Sequence, residues 1–313
     1  MLRFLLQRLG MAVPTLAIVA VTVFALIRLI PGDPATLMLG DMADPSALAD
    51  LRRSLGLDQS IPVQFLYWIT HVLSGDFGKS ISTGQAVLPL ILDRFSVSAS
   101  IVLVAVALAS LVAVPAGMIA AWRQDGPLDL AVISGATLLL SIPSFWLGLL
   151  LLLLFGLRLG WLPVVGYVPF AEDAGAALVY MIMPVATLVM IETGVVIRMA
   201  RASTIEVMRL EYITHARAKG LSESAVLWRH AFRTAFAPTW TLIGLMLGNL
   251  LGGIAVVETV FTIPGLGRLL VDAIYARDYP VVQGCLLFIA GIYVVVNLLV
   301  DLLYPLFDPR VTA

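Results

Sequence analysis

The sequence predicts an all-α polytopic membrane protein: six transmembrane helices, with a helical segment between the first two on one side of the bilayer. Three observations carry this. The 313 residues are 60% hydrophobic and only 12% charged. Their mean hydropathy of +1.01 lies far above that of a soluble domain, so most of the chain must face hydrocarbon or other apolar helices. The apolar residues also fall into six runs, each near or above the roughly 20 residues that cross a bilayer as a helix.

The first run, 11–27, follows a short start bearing Arg3 and Arg8. It is longer than a signal-peptide core and no Ala-x-Ala-like site follows it, so it reads as an uncleaved span. Arg28 is expected at its outer end, reaching head groups. Residues 1–30 thus form a tail and first span, and residues 31–95 an extracytoplasmic helical segment. That segment opens on the turn Pro31-Gly-Asp-Pro34 and is rich in acids (Asp41, Asp44, Asp50, Asp58, Asp76, Asp93). Helices are expected over 45–55 and 61–73. The second carries Phe65, Trp68, Ile69 and Val72 on one face and would lie on the membrane or on neighbouring loops. Gly78-Lys-Ser80 invites a nucleotide-binding reading, but a P-loop needs a glycine where Leu73 stands, so the motif fails.

Residues 96–313 hold the remaining five runs: 97–121, 130–157, 177–197, 240–257 and 281–300. Pro115, Pro143 and Pro184 interrupt them, and Gly148, Gly244, Gly248, Gly252 and Gly253 permit close helix approach. The Gly244 to Gly248 spacing fits contact with a second subunit or with a neighbouring span. An even number of spans puts both termini on one side. Arg3, Arg8, Arg123, the seven bases from Arg198 to Arg233, and Arg310 all fall there, which makes that side cytoplasmic. Cys285 is the only cysteine and stands within an apolar run, so no intramolecular disulfide and no thiolate cluster can form. His71, His215 and His230 have no metal-site spacing, and no metal is expected.

Polar residues inside the runs are the candidate pathway. A carboxyl at Glu192 is expensive in a bilayer unless protonated, paired or wetted, and a hydrogen bond to another span is the favoured expectation, with a place on a translocation path or gate as the alternative. Asn249 and Glu258 pose the same question. Glu258 is expected near the outer end of the fifth run, where solvation is cheap.

The stretch 198–238 stands apart. It is basic and divides at Gly220, which can end one helix in a left-handed cap. Ser222 is a good N-cap for the next helix, Glu223 sits at its positive end, and Leu221 and Val226 fit a hydrophobic staple. Pro238 is expected to close the unit. A helical corner between spans, without catalytic residues, suits docking of a soluble partner.

The run Glu211-Tyr-Ile-Thr-His-Ala216-Arg-Ala218-Lys-Gly220-Leu-Ser222, followed by Arg229-His-Ala-Phe-Arg233, resembles the cytoplasmic loop of ABC importer permeases in the dipeptide/oligopeptide branch. The general loop pattern of such permeases is Glu-Ala-Ala, three residues, then Gly. Thr214 and His215 replace its first two residues, leaving Ala216 and Gly220, a wording closer to the peptide branch. Val257-Glu-Thr-Val-Phe261, Pro264-Gly-Leu-Gly267-Arg-Leu-Leu-Val-Asp272 and Arg277-Asp-Tyr-Pro280 resemble the same branch, as does the ending Asp301 to Arg310.

The resemblance implies a type I ABC importer permease fold and a transport subunit in the bacterial cytoplasmic membrane, not an enzyme. It implies that Thr214, His215, Ala216, Arg217, Ala218, Lys219, Gly220, Leu221, Ser222 and Glu223 meet an ATPase. Pro264, Gly265, Gly267, Arg268 and Asp272 would form an outer mouth. No cofactor is expected in this chain; ATP and Mg would be held by two ATP-binding subunits. The other implied partners are a second, related permease forming a heterodimer, an extracytoplasmic substrate-binding protein and membrane lipid, with no nucleic acid. Di- or oligopeptides are the expected cargo, with nickel chelates or glutathione as alternatives. An ion-driven transporter would need paired intramembrane carboxylates and inverted repeats, for which Glu192 alone is thin support. A membrane enzyme would need a nucleophile, metal cluster or paired acids on one face, which the sequence does not offer.

Overall fold

The computed structural model describes residues 2–29, 36, 44–54 and 58–307. The expected turn at Pro31 to Pro34, Asp41 and the ending Asp308 to Arg310 lie outside the described residues. Helix α1 (Leu2–Leu29) runs through Pro14. Helices α2 (Pro45–Ser54) and α3 (Ile61–Leu73) follow within two residues of the expected bounds. Then come α4 (Val87–Trp122), α5 (Pro127–Ser141), α6 (Ser144–Arg158), α7 (Ala174–Met208), α8 (Glu211–Ala218), α9 (Glu223–Gly253), α10 (Ala255–Val260), α11 (Leu266–Tyr275) and α12 (Tyr279–Leu303).

Among the described residues, four helices are long and apolar enough to cross a membrane: α4, α7, α9 and α12. The bent pair of α5 and α6 makes a fifth if counted as one span, and α1 contributes a shorter apolar stretch, Gly10–Leu26. The third apolar run is therefore not the straight span expected from the sequence. Its halves meet at 96°. Ile142 is extended (φ −92°, ψ 121°), because a residue before proline is pushed out of the helical region, and Pro143 then starts α6 as its N-cap. Pro115, Pro184 and Pro238, by contrast, sit inside continuous helices. Pro238 does not close the basic stretch: α9 runs from Glu223 straight into the bilayer-length segment. Likewise α7 extends to Met208, so Arg198 and Arg201 belong to it and the true non-spanning corner is 209–222.

Small residues set the packing. At Gly117 a Cβ would lie 2.6 Å from the Ile197 carbonyl oxygen, which fixes the close crossing of α4 and α7. Gly244, Gly248 and Gly252 form one stripe on α9 that receives Val300, Tyr293 and Ile289 of α12. This settles the two readings of the GxxxG spacing: the glycines serve a neighbouring span of the same chain. The main core lies between α4, α7, α9 and α12, with Ile101, Val102, Met118, Val196 and Leu227 almost wholly buried. Cys285 is buried against α4 and α11, beside Val87, Ile91 and Leu266.

Ion pairs lie near the helix ends. Asp129 takes a bidentate pair from Arg201, both bonds at 2.6 Å, tying α5 to α7. Arg8 meets Asp301 at 2.9 Å, joining α1 to the last turns of α12. Arg233 donates to the Leu306 carbonyl at 2.9 Å, so the residues just after α12 lie against the first half of α9, on the side of the bundle that carries the 209–222 corner, or knuckle. That end of the bundle is called the knuckle end below, and the opposite one the far end.

Candidate functional site

At the knuckle end, α8 stops at Lys219 and the backbone turns at Gly220, with φ +80°. A Cβ there would touch nothing, so the requirement for glycine is conformational rather than spatial. Ser222 is extended (φ −64°, ψ 148°) and its Oγ accepts the Ala225 N–H at 3.4 Å, the N-cap expected from the sequence. The staple is half made: Val226 is fully buried but Leu221 is 39% exposed. Arg217 and Glu223 close the corner with two parallel bonds of 2.8 and 3.1 Å across the glycine. Planar fork-to-carboxylate pairing of this kind adds geometric definition as well as attraction. Beneath it, Val207, Ile213, Ala216, Val226, Ala231 and Ala235 form a separate small core.

Of the ten corner residues expected to meet a partner, Thr214, His215, Arg217, Ala218, Lys219, Gly220, Leu221, Ser222 and Glu223 are exposed. Ala216 is buried and can act only by shaping the core under them. The sequence reading missed Trp228, which is 42% exposed one turn beyond the corner and adds an aromatic face to it. Its signal was available, since Val226 and Leu227 bury the opposite side of the same turn.

At the far end the decisive residue is Glu258. The sequence placed it where solvation is cheap; it is instead fully buried in α10. The fifth run breaks at Ile254, and α10 turns the carboxylate inward. Glu258 Oε1 accepts from Ser98 Oγ at 2.6 Å, and Oε2 from the Arg268 N–H at 2.7 Å, with the Gly267 N–H beside it. Ser98 Oγ in turn accepts the Leu266 N–H at 2.8 Å. One carboxylate and one hydroxyl thus hold the free N–H groups at the start of α11 and tie it to α4. Gly265 packs directly on this carboxylate, and Gly267 approaches the Ala255 backbone, so neither position has room for a side chain.

Pro264, Gly265, Arg268 and Asp272 do come together, with Arg94 and Leu269, around a hollow of about 280 Å³. Arg268 lies 3.7 Å from Asp272, one turn apart. Gly267 faces the packed side instead. A second clasp was not foreseen. Asp278, nearly fully buried, accepts from Ser80 Oγ (2.5 Å), Ser82 Oγ (2.8 Å) and the N–H groups of Ile81 and Ser82 (both 3.1 Å). Burial pushes its carboxyl upward, but the hydrogen bonds from Ser80, Ile81 and Ser82 outweigh that and leave it below the usual range. Ser80, Ile81 and Ser82, just past Gly78-Lys79, thus cradle the protein's own aspartate, while the Gly78 N–H turns to Asp76.

Between the two ends, Glu192 is half-buried on α7 and makes no side-chain hydrogen bond or ion pair with the described residues. The expected bond to another span is not formed among the described residues. Asn249 is exposed on α9.

The comparisons with known proteins agree with this architecture. A family model described as a binding-protein-dependent transport system inner membrane component matches residues 113–313. The model for the N-terminal part of such membrane components matches residues 1–102. A chain of Brucella suis biovar 1, named a peptide transport system permease protein, is 43% identical over 311 residues, covering 99% of both chains. The peptide ABC transporter permease protein y4tP of Sinorhizobium fredii is 40% identical over 308 residues, 98% of each. The glutathione transport system permease protein GsiC of Salmonella choleraesuis is 42% identical over 312 residues, 99% of each. Among solved structures, the inward-facing MetNI methionine ABC transporter superposes with a TM-score of 0.57 at 15% identity, covering 70% of this chain and 96% of that one. That likeness concerns the fold. With both family models matched and relatives above 40% identical along its whole length, the chain belongs to the family of binding-protein-dependent transport system inner membrane components.

Proposed function

We propose that the chain is the membrane permease subunit of an ATP-driven importer that carries di- or oligopeptides across the cytoplasmic membrane. The observation that carries this is the knuckle: an exposed, rigidly braced corner inserted between two bilayer-length helices, α7 and α9, of a binding-protein-dependent permease. An ATPase closing on Thr214 to Glu223 would move both helices together, and two such permeases would open a path between them. A second, related permease, two ATP-binding subunits and an extracytoplasmic binding protein complete the assembly in this reading. Both termini and the knuckle are cytoplasmic, α1 is the sixth span, and the hollow around Arg268 and Asp272 faces outward toward the binding protein. Glu192, unpaired among the described residues, lines the path with Asn249 rather than bracing another span. Glu258 is a brace rather than a gate. Peptide cargo is supported by the names of the relatives at 40–43% identity. Glutathione is itself a tripeptide, and the 42% identity to GsiC favours it as the second cargo.

Uptake into vesicles by the reconstituted assembly tests the reading. Transport that requires ATP on the knuckle side, and that is lost on deleting Leu221 to Ser224, is the expected result. Uptake by the chain alone, driven by a proton or sodium gradient, would overturn it.

A further inference from the structure

A polar hollow of about 320 Å³ opens at the far end of α1, walled by Arg28, Gln64, Trp68, His71, Asp76 and Gln283. Its volume lies at the small end of the roughly 300–1,000 Å³ range of ligand sites. The Arg28 guanidinium lies 4.0 Å from the Phe24 ring centre and donates through Nε (3.0 Å) and Nη2 (2.6 Å) to Gln64 Oε1. Among the described residues no carboxylate lies within ion-pair distance of it, and the fork is held in place by the neutral Gln64 amide. Asp76 accepts the Gly78 N–H through Oδ1 at 2.9 Å, and its second oxygen meets no donor among the described residues. Gln283 is only 9% exposed, and its Nε2 has no acceptor among the described residues. Buried amide N–H groups are rarely left so, and this one lines a cavity. A prearranged cation, a carboxylate and an unanswered N–H donor therefore face one hollow.

The surroundings decide what kind of zwitterion fits. Helix α3 lies against α1 through Phe24, Phe65 and Trp68, with ring centres 5.3–6.0 Å apart. None of its residues is buried, and Ile61, Leu66 and Leu73 are 63%, 59% and 80% exposed. Leu26, two residues before Arg28, is 51% exposed. An apolar helix lying uncovered at the end of a spanning helix, with aromatic rings at its base, is the signature of the membrane interface. We infer that this hollow binds the headgroup of a phosphoethanolamine lipid: the phosphodiester takes Arg28 and the Gln283 amide, the ammonium takes Asp76, and the acyl chains run down past Leu26 and Leu66.

The chemistry of the headgroup is shared by free phosphoethanolamine and, in part, by a free dipeptide, so the test separates the sources. The purified full chain in mild detergent is mixed in turn with phosphatidylethanolamine, phosphatidylglycerol, soluble phosphoethanolamine and a dipeptide, and retained adducts are counted by native mass spectrometry. The wild type is expected to keep phosphatidylethanolamine preferentially. Arg28→Leu should cut retention roughly tenfold, the equivalent of one lost charged contact, while Arg28→Lys keeps most of it. Asp76→Asn, on an exposed side chain that leaves folding intact, should abolish the preference over phosphatidylglycerol. Equal retention of the two lipids by the wild type would overturn the inference, as would retention unchanged in Arg28→Leu and Asp76→Asn. Saturable binding of the dipeptide or soluble phosphoethanolamine without lipid would overturn it too. Because retention needs neither ATP nor cargo, failure here leaves the transport reading untouched, and failure of uptake leaves this one untouched.

Discussion

Two buried carboxylates, Glu258 and Asp278, hold the far end together, and each does so by taking N–H and hydroxyl groups that would otherwise be orphaned. Replacing Glu258 by Ala strands Ser98 and the start of α11 without an acceptor. A loss on the order of 2–3 kcal/mol is expected, read as a lower thermal midpoint in detergent, and Glu258→Gln should lose less because one acceptor oxygen remains. Asp278 makes a pH prediction. Its folded carboxyl titrates below the unfolded value, so its contribution is fully present above the ordinary carboxylate pKa near 3.9 and is lost as pH falls through the lowered folded value. Asp278→Asn should therefore lower stability at neutral pH and flatten the acid limb of the midpoint-against-pH curve. An unchanged acid limb would contradict the clasp. Neither clasp was legible in the sequence. Their partners are 160 and 198 residues away, and nothing local to Glu258 says that the chain breaks at Ile254 and turns it inward.

The knuckle was the most legible element, because capping chemistry is local. Gly220 and Ser222 act within a few residues of themselves, and the structure gives them the backbone angles their types favour. What lay beyond local reading was continuity: Pro238 marks a stop in a soluble helix, whereas spanning helices pass through prolines when neighbours stabilise them. Gly220→Ala should cost about 1 kcal/mol through the left-handed backbone alone, since a methyl there meets nothing. Gly220→Pro cannot adopt φ +80° and should break the corner. Glu223→Arg would set two guanidinium groups against each other across the turn. Both severe variants are expected to reach the membrane in normal amount yet lose ATP-dependent uptake and partner binding by co-purification. Normal substrate-stimulated ATP hydrolysis in either would count against the docking role.

Across the whole molecule, hydropathy located the apolar runs but could not give their shape. The run from Leu130 to Leu157 carries no charge, yet it folds as two helices at 96° because Pro143 follows Ile142. Orientation is open to a direct test, since the single native thiol, Cys285, is fully buried and will stay silent toward polar reagents. A membrane-impermeant maleimide should label Ser222→Cys only in inverted vesicles and Tyr275→Cys, at a site 84% exposed, only in intact cells. Labelling of both from the same side would refute the topology. The course of α9, continuous through a π-helical turn at Val226–Ala231 and through Pro238, has a mechanical corollary. Its 31 residues, at roughly 1.5 Å each, extend about 45 Å before the helix ends at Ile254. Val300, Tyr293 and Ile289 are keyed into its glycine notches. A stroke delivered at its first turns would then be passed along the helix and handed to α12 through those keys.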